Sequence, residues 1–170
     1  MKEKIDFKLE NERLILRYFN ENDIKALYFL LKDEKVNTFL PWFALKNITE
    51  AKRFYKQKIK NQKYFFAICL KSDNYPIGYI NIDTNDGYEL GYALCEKFWN
   101  QGIATQASQM LLKFLKNENI PYITATHDEN NPSSGKIMQK IGMKYCYSYQ
   151  EQWKPKNILV VFKLYRLNLT

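Results

Sequence analysis

The sequence predicts a mixed α+β fold, one domain over residues 1–170, with a twisted and mostly antiparallel sheet that carries one parallel β-α-β unit and is flanked by helices. Three observations predict it. At Tyr64 the hydrophobic period changes from helical to strand-like. The strand-like runs that follow are separated by the turn signals Ser72-Asp73-Asn74 and Asn85-Asp86-Gly87, short enough for antiparallel hairpins. After Gly102 an amphipathic helix leads to another strand, which a right-handed crossover must lay parallel to the strand before the helix.

Alternation in Arg13-Leu14-Ile15-Leu16-Arg17 gives the first strand. Asn20, followed by Glu21 and Asp23, starts a helix whose apolar face is Ile24, Leu27, Tyr28 and Leu31. Residues 36–47 are irregular, and Thr49 and Glu50 then open a helix that turns Ala51, Phe54 and Tyr55 inward. The aromatic segment Phe39 to Phe43 suits either a substrate cleft or plain core packing. Strands follow at Tyr64–Leu70, Pro76–Asp83 and Tyr88–Leu94, a helix from Ile103 to Lys116, and a strand from Tyr122 to Thr126. Asn131 caps a helix with Pro132 at its first position, Ile137, Met138 and Ile141 on its apolar face and Gly142 as its stop. Lys144–Tyr149 and Ile158–Leu167 pair around Lys154-Pro155-Lys156-Asn157.

Composition narrows the function classes. The chain has 26 Lys and Arg against 18 Asp and Glu, a formal charge of +8. The lysines are scattered, as in Lys52, Lys56, Lys58, Lys60 and Lys63, with no zinc-finger spacing, helix-turn-helix pattern or aromatic RNA-reading motif; this disfavours nucleic acid as a partner and leaves a field that assists a polyphosphate ligand. Cys69, Cys95 and Cys146 are odd in number and far apart, which fits buried free thiols rather than disulfides or metal ligands. No apolar run reaches the roughly 18 residues of a membrane span, and Met1-Lys2-Glu3-Lys4-Ile5-Asp6 has no signal-peptide core, so a cytoplasmic protein is expected.

Trp99-Asn100-Gln101-Gly102-Ile103-Ala104-Thr105 sits between an extended run and an amphipathic helix bearing Ala104, Ala107, Leu111 and Leu115. At a helix start the first amides lack intrahelical acceptors and can hold phosphate, and Gly102 permits a tight bend. Neither a Walker A lysine motif nor GxGxxG is present. Gly135 lies inside a helix, where glycine costs about 0.5–1 kcal/mol relative to alanine, and close approach of a ligand is one reason for it.

Together, Glu12 to Arg17, Pro76-Ile77-Gly78-Tyr79-Ile80, Glu89-Leu90-Gly91-Tyr92, Trp99 to Thr105 and Asn131 to Gly142 resemble the GNAT N-acetyltransferase superfamily, and within it the bacterial subgroup that includes ribosomal-protein N-terminal acetyltransferases. The resemblance implies acetyl-CoA as acyl donor, no metal, and direct transfer to a primary amine in a ternary complex. It places the pantetheine arm on Tyr92, Ala93 and Leu94, and the pyrophosphate on Gln101, Gly102, Ile103, Ala104 and Thr105. In the family pattern Q/R-x-x-G-x-G/A, Gly102 and Ala104 match while Trp99 stands at the Gln/Arg position.

The transfer needs a neutral amine, polarisation of the thioester carbonyl and protonation of the leaving thiolate. Glu89 is the candidate base, acting through a water. Many family members use a tyrosine on the last helix as acid, but Met138 stands there and has no proton to give. By the subgroup resemblance Ser134 takes that role or positions the thiol, with Asn131 holding the pantetheine amide and Tyr92 and Tyr145 as substitutes. Lys136 and Lys140 either meet the CoA 3'-phosphate or are solvated. His127 is expected as a surface residue at a strand end, and Cys95 has no Cys/His motif to make it an acyl carrier. The acceptor implied is a protein N-terminus, with a polyamine or amine drug as the alternative, and a non-catalytic acyl-CoA or RNA binder on the same scaffold as the competing class. Exposed sheet edges would suit a homodimer.

Overall fold

The computed structural model describes residues 6–170; Met1 to Ile5, which carry most of the segment read above as lacking a signal-peptide core, lie outside the described residues. The strands are β1 (Lys8–Glu10), β2 (Leu14–Tyr18), β3 (Phe65–Leu70), β4 (Pro76–Asp83), β5 (Glu89–Leu94), β6 (Tyr122–Asp128), β7 (Lys144–Trp153) and β8 (Ile158–Asn168). The helices are α1 (Ile24–Leu31), α2 (Glu34–Asn37), α3 (Ile48–Phe54), α4 (Ile103–Leu115) and α5 (Pro132–Lys140). All eight strands form one sheet in the order β1-β2-β3-β4-β5-β6-β8-β7. Every neighbouring pair is antiparallel except β5 and β6, as the crossover through α4 requires.

Strand alternation builds a core on each face. Leu14, Leu16, Phe66, Ile68, Ile80 and Leu90 meet Ala107, Leu111 and Leu115 of α4 and Met138 of α5 on one side. Ile15, Phe65, Ala67, Tyr79 and Ala93 meet Leu27, Leu31, Ala51 and Phe54 of α1 and α3 on the other. The Asn20 signal is a full capping box with Asp23, though the first turn is 3-10 and α1 proper begins at Ile24. Arg17 then grips the Asp23 carboxylate through both terminal nitrogens, at 2.8 and 3.0 Å, tying β2 to the start of α1. Asn47, rather than Thr49, caps α3, which relaxes into a π turn over Tyr55–Ile59. Two short elements, β1 and α2, were not expected from the sequence, because three or four residues carry too little periodicity to register.

Candidate active site

The feature that makes a site is a failure of pairing. β5 and β6 share a single register pair, Glu89 opposite Thr124, with the Thr124 amide donating to the Tyr88 carbonyl at 2.8 Å. Beyond it the strands diverge, and from Leu90 to Leu94 the β6-facing edge of β5 carries no strand partner among the described residues. A strand edge with free main-chain donors and acceptors can take an extended, amide-bearing guest. Tyr92, Ala93 and Leu94, read from sequence as the pantetheine contacts, lie on that edge. The Leu94 carbonyl is already engaged by the Trp99 indole N–H at 2.8 Å, so the aromatic residue at the Gln/Arg position ties the strand end to the turn beyond it.

That turn has the geometry of an anion site. Gly102 is left-handed, with φ +76°, and a Cβ built there meets nothing within 4 Å, so the backbone is open to an approaching group. Gln106 is the first α4 amide to close a turn, onto the Gly102 carbonyl at 3.0 Å, and the amides of Ile103, Ala104 and Thr105 precede it as the orphan donors of a helix start. Gln101 is pinned by Arg13, which donates to its main-chain carbonyl at 2.7 Å and its side-chain oxygen at 3.3 Å. Arg13 went unnoticed as a site residue in the sequence, where it reads only as a strand position 88 residues away.

Glu89 stands at the vertex of the opening. Alternation puts it on the face of Ala93, toward α1 and α3, and puts Tyr92 on the face of Leu90, toward α4 and α5. Glu89 Oε1 accepts from the Thr126 hydroxyl of the facing strand at 3.0 Å. Part of Glu89 is open to solvent, yet neighbouring protein removes enough water from the carboxylate that burial pushes its carboxyl above the ordinary range; the Thr126 bond opposes this, and Asp83, Glu151 and Asp86 add to it. A carboxylate poised upward in this way accepts protons more readily than a solvated one.

Across the sheet plane, α5 presents Ser134. Its Oγ lies 2.8 Å from the Tyr92 hydroxyl, which also lies 3.2 Å from the Ser134 carbonyl. Burial pushes the Tyr92 phenol up to about 12, so the hydroxyl stays protonated. Asn131 occupies the N-cap position but makes no capping bond through its side chain, leaving the amide available; Lys136 and Lys140 are exposed on α5. Met138 is in the core, 1% exposed.

Three expectations are corrected. His127 is not a surface residue: its ring is buried against Tyr165 at 5.6 Å, with Nδ1 2.8 Å from the Asp128 carbonyl and Nε2 without a partner among the described residues. The same ring explains Gly135, where a Cβ would lie 2.5 Å from His127 Nε2, so the close approach is a side chain's and not a ligand's. The thiols are not uniformly buried: Cys69 is, Cys95 is half-buried and Cys146 is exposed. Tyr145 points to Ser148, at 2.8 Å, on the exposed hairpin.

The aromatic segment divides. Trp42 packs edge-on against Phe54, ring centroids 4.8 Å apart, whereas Phe43 is 68% exposed and helps line a cavity of about 300 Å³ with Asn37, Thr38 and Lys156. Lys156, at the β7–β8 tip, donates to the main-chain carbonyl of Asn37 and, at 3.5 Å, to that of Thr38. Among the described residues no group of three or more His, Cys, Asp or Glu could hold a metal, and no helix is long and apolar enough to cross a membrane.

Comparison with known proteins agrees with this geometry. Residues 13–144 match the model of the acetyltransferase (GNAT) domain. The chain is 29% identical over 155 residues to the uncharacterized N-acetyltransferase YnaD of Bacillus subtilis, covering 85% of this chain and 91% of that one. It superposes on a GNAT-family acetyltransferase from Bacillus anthracis with a TM-score of 0.85, 24% identity and coverage of 96% and 99%. It also superposes on the spermidine N-acetyltransferase of Vibrio cholerae, solved with CoA and spermine, with a TM-score of 0.78, 15% identity and coverage of 94% and 97%. With a β5–β6 opening, a helix-start anion turn and a family match over most of its length, the chain belongs to the GNAT acetyltransferase family.

Proposed function

We propose that the whole chain acts as one domain that moves the acetyl group of acetyl-CoA directly to a primary amine, and that the α-amine of a protein N-terminus, as in the ribosomal-protein subgroup, is the first acceptor class. The observation that carries this reading is the one-bridge opening of β5 and β6, with Glu89 on one side of the sheet plane and Ser134 on the other. Acetyl-CoA would supply the acetyl group as an activated thioester. The orphan amides around Gln101 to Thr105 fit its pyrophosphate, the unpaired edge at Tyr92 to Leu94 its pantetheine amides, and Asn131 and Lys136 its remaining polar groups.

Glu89 takes a proton from the incoming ammonium, through a water, and so frees the lone pair that attacks. Its raised carboxyl matches an α-amine, which ionises at about 8, better than a lysine-like amine at about 10.4. As the C–N bond forms and the C–S bond breaks, the Ser134 hydroxyl donates a hydrogen bond to the charge that gathers on sulfur, and the second proton of the attacking nitrogen leaves for that sulfur, so that the products are the amide and the CoA thiol. A polyamine is the second reading. It is favoured by Asp83, Asp86 and Glu151, which surround Glu89 with negative charge in an otherwise basic protein.

The test is release of CoA thiol from acetyl-CoA with N-terminal peptides of different first residue, with spermidine or spermine, and with amine drugs. Peptide-dependent release supports the first reading and polyamine-dependent release the second. Acetyl-CoA binding without release for any acceptor turns the reading toward a sensor, and absence of binding removes the donor assignment.

A further inference from the structure

Ser134 is useful to a departing sulfur only if its proton is free to point there, and the structure shows a competitor for that proton. The Tyr92 hydroxyl is 2.8 Å from Ser134 Oγ and 3.2 Å from the Ser134 carbonyl oxygen. A phenol has one proton and a carbonyl only accepts, so two arrangements satisfy the trio. In the first, Tyr92 donates to the carbonyl and Ser134 donates to Tyr92. In the second, Tyr92 donates to Ser134 Oγ, and the serine proton is released to another acceptor.

We propose that Tyr92 is a positioning residue, a hydroxyl that switches between these two arrangements and thereby aims the Ser134 proton at the departing thiolate. The inference rests on the reading of Ser134 given above. No bond to hydrogen breaks: both hydroxyls rotate, each proton stays on its own oxygen, and the sulfur gains one donor while Ser134 Oγ gains another. The strand and helix hold the pair fixed, since Tyr92 is anchored in β5 and Ser134 in the first turn of α5. Burial of the phenol keeps it in the protonated form that the switch needs.

The experiment compares Tyr92→Phe, Ser134→Ala and the double variant, reading kcat, the KM for acetyl-CoA, and the ionisation of the thiol of bound CoA by its ultraviolet absorbance. Phenylalanine keeps the ring in place, and a thermal melt confirms folding. Ser134→Ala is expected to lower kcat roughly tenfold to a hundredfold and to raise the pH at which bound CoA ionises. Tyr92→Phe is expected to do the same in lesser degree with the acetyl-CoA KM held, and the double variant to fall no further than Ser134→Ala alone. A Tyr92→Phe protein with wild-type kcat and wild-type CoA ionisation, beside a slow Ser134→Ala, overturns the switch and leaves Ser134 standing. Losses that multiply in the double variant also overturn it. A wild-type rate for Ser134→Ala removes the reading of Ser134 and the switch with it.

Discussion

At the scale of single residues, Glu89 carries the sharpest consequences, because what raises its carboxyl affects both rate and stability. As a base it must be ionised, so kcat/KM is expected to fall as pH drops through its carboxyl, at a pH above the ordinary carboxylate range. Glu89→Gln should lower kcat roughly 100-fold or more near neutrality and abolish that acidic limb, leaving a rate that climbs until the amine ionises by itself. A pH profile of both proteins checks this, and an unchanged acidic limb in the variant would assign it to another group. The stability effect has the opposite sign. A carboxyl raised in the folded state favours the neutral form, so its contribution is present below about pH 4.3, the unfolded value, and is lost as pH rises through the folded one. Glu89→Gln should therefore melt above the parent at neutral pH, since an amide can still accept from Thr126, with the gap closing in acid. An equal or lower melting temperature at neutral pH would mean that Thr126 and solvent fully offset the cost of burial.

At the scale of elements, the start of α4 is held by a contact from a distant strand, and the packing of α5 is set by the strand that precedes it. Arg13 holds Gln101 ahead of α4, and a hydrogen bond of this kind in an exposed place contributes about 0.5–1.5 kcal/mol. Arg13→Ala should raise the KM for acetyl-CoA up to roughly tenfold with kcat nearly held, as steady-state kinetics with varied donor would show. In α5, Gly135→Ala should destabilise by about 1–3 kcal/mol in spite of alanine's higher helix propensity, because the new methyl meets the His127 ring. Denaturant midpoints would show it, and His127→Ala should relieve part of the loss. The same two helices show what a sequence reveals. The α4 start and the α5 stop were legible because Gly102 and Gly142 have positive φ, at +76° and +92°, a local demand that leaves a local mark. The burial of His127 was not, since its site is made by Gly135 and by Tyr165 of β8. Glu89 and Ser134 could be picked out by resemblance, whereas the bond from Ser134 to Tyr92 spans 42 residues and needs the sheet to exist.

At the scale of the whole molecule, the unforeseen step is the path of β8, which lies between β6 and β7 and so puts β7 at the edge of the sheet. Neither strand's pattern dictates that order: β8 pairs along the edge of β6 that faces away from β5, over Tyr122 to Asp128, and β7 then pairs outside it. The hairpin brings Tyr149, whose phenol burial pushes up to about 12 with Glu151 and Glu89 contributing, into the electrostatic surroundings of the candidate base. At its tip Lys156 bridges to the end of α2, 119 residues away, between the rings of Phe43 and Trp153, each centroid 5.9 Å from its nitrogen. Burial lowers the Lys156 ammonium below its ordinary value, with Glu34 opposing the shift, while two carbonyl acceptors and two ring faces hold the side chain in place. This clasp joins the hairpin to the α2–α3 connection without touching the anion turn of α4. Lys156→Ala should therefore leave the KM for acetyl-CoA unchanged while raising the KM of the amine acceptor several-fold, a loss of about 1 kcal/mol of ordering. Lys156→Arg, which keeps a cation but not the compact ammonium between two carbonyls, should fall between them. Kinetics with each substrate varied in turn decide the matter: a rise in the donor KM, or an acceptor KM equal to wild type, would show that the clasp stabilises the fold without shaping the acceptor side.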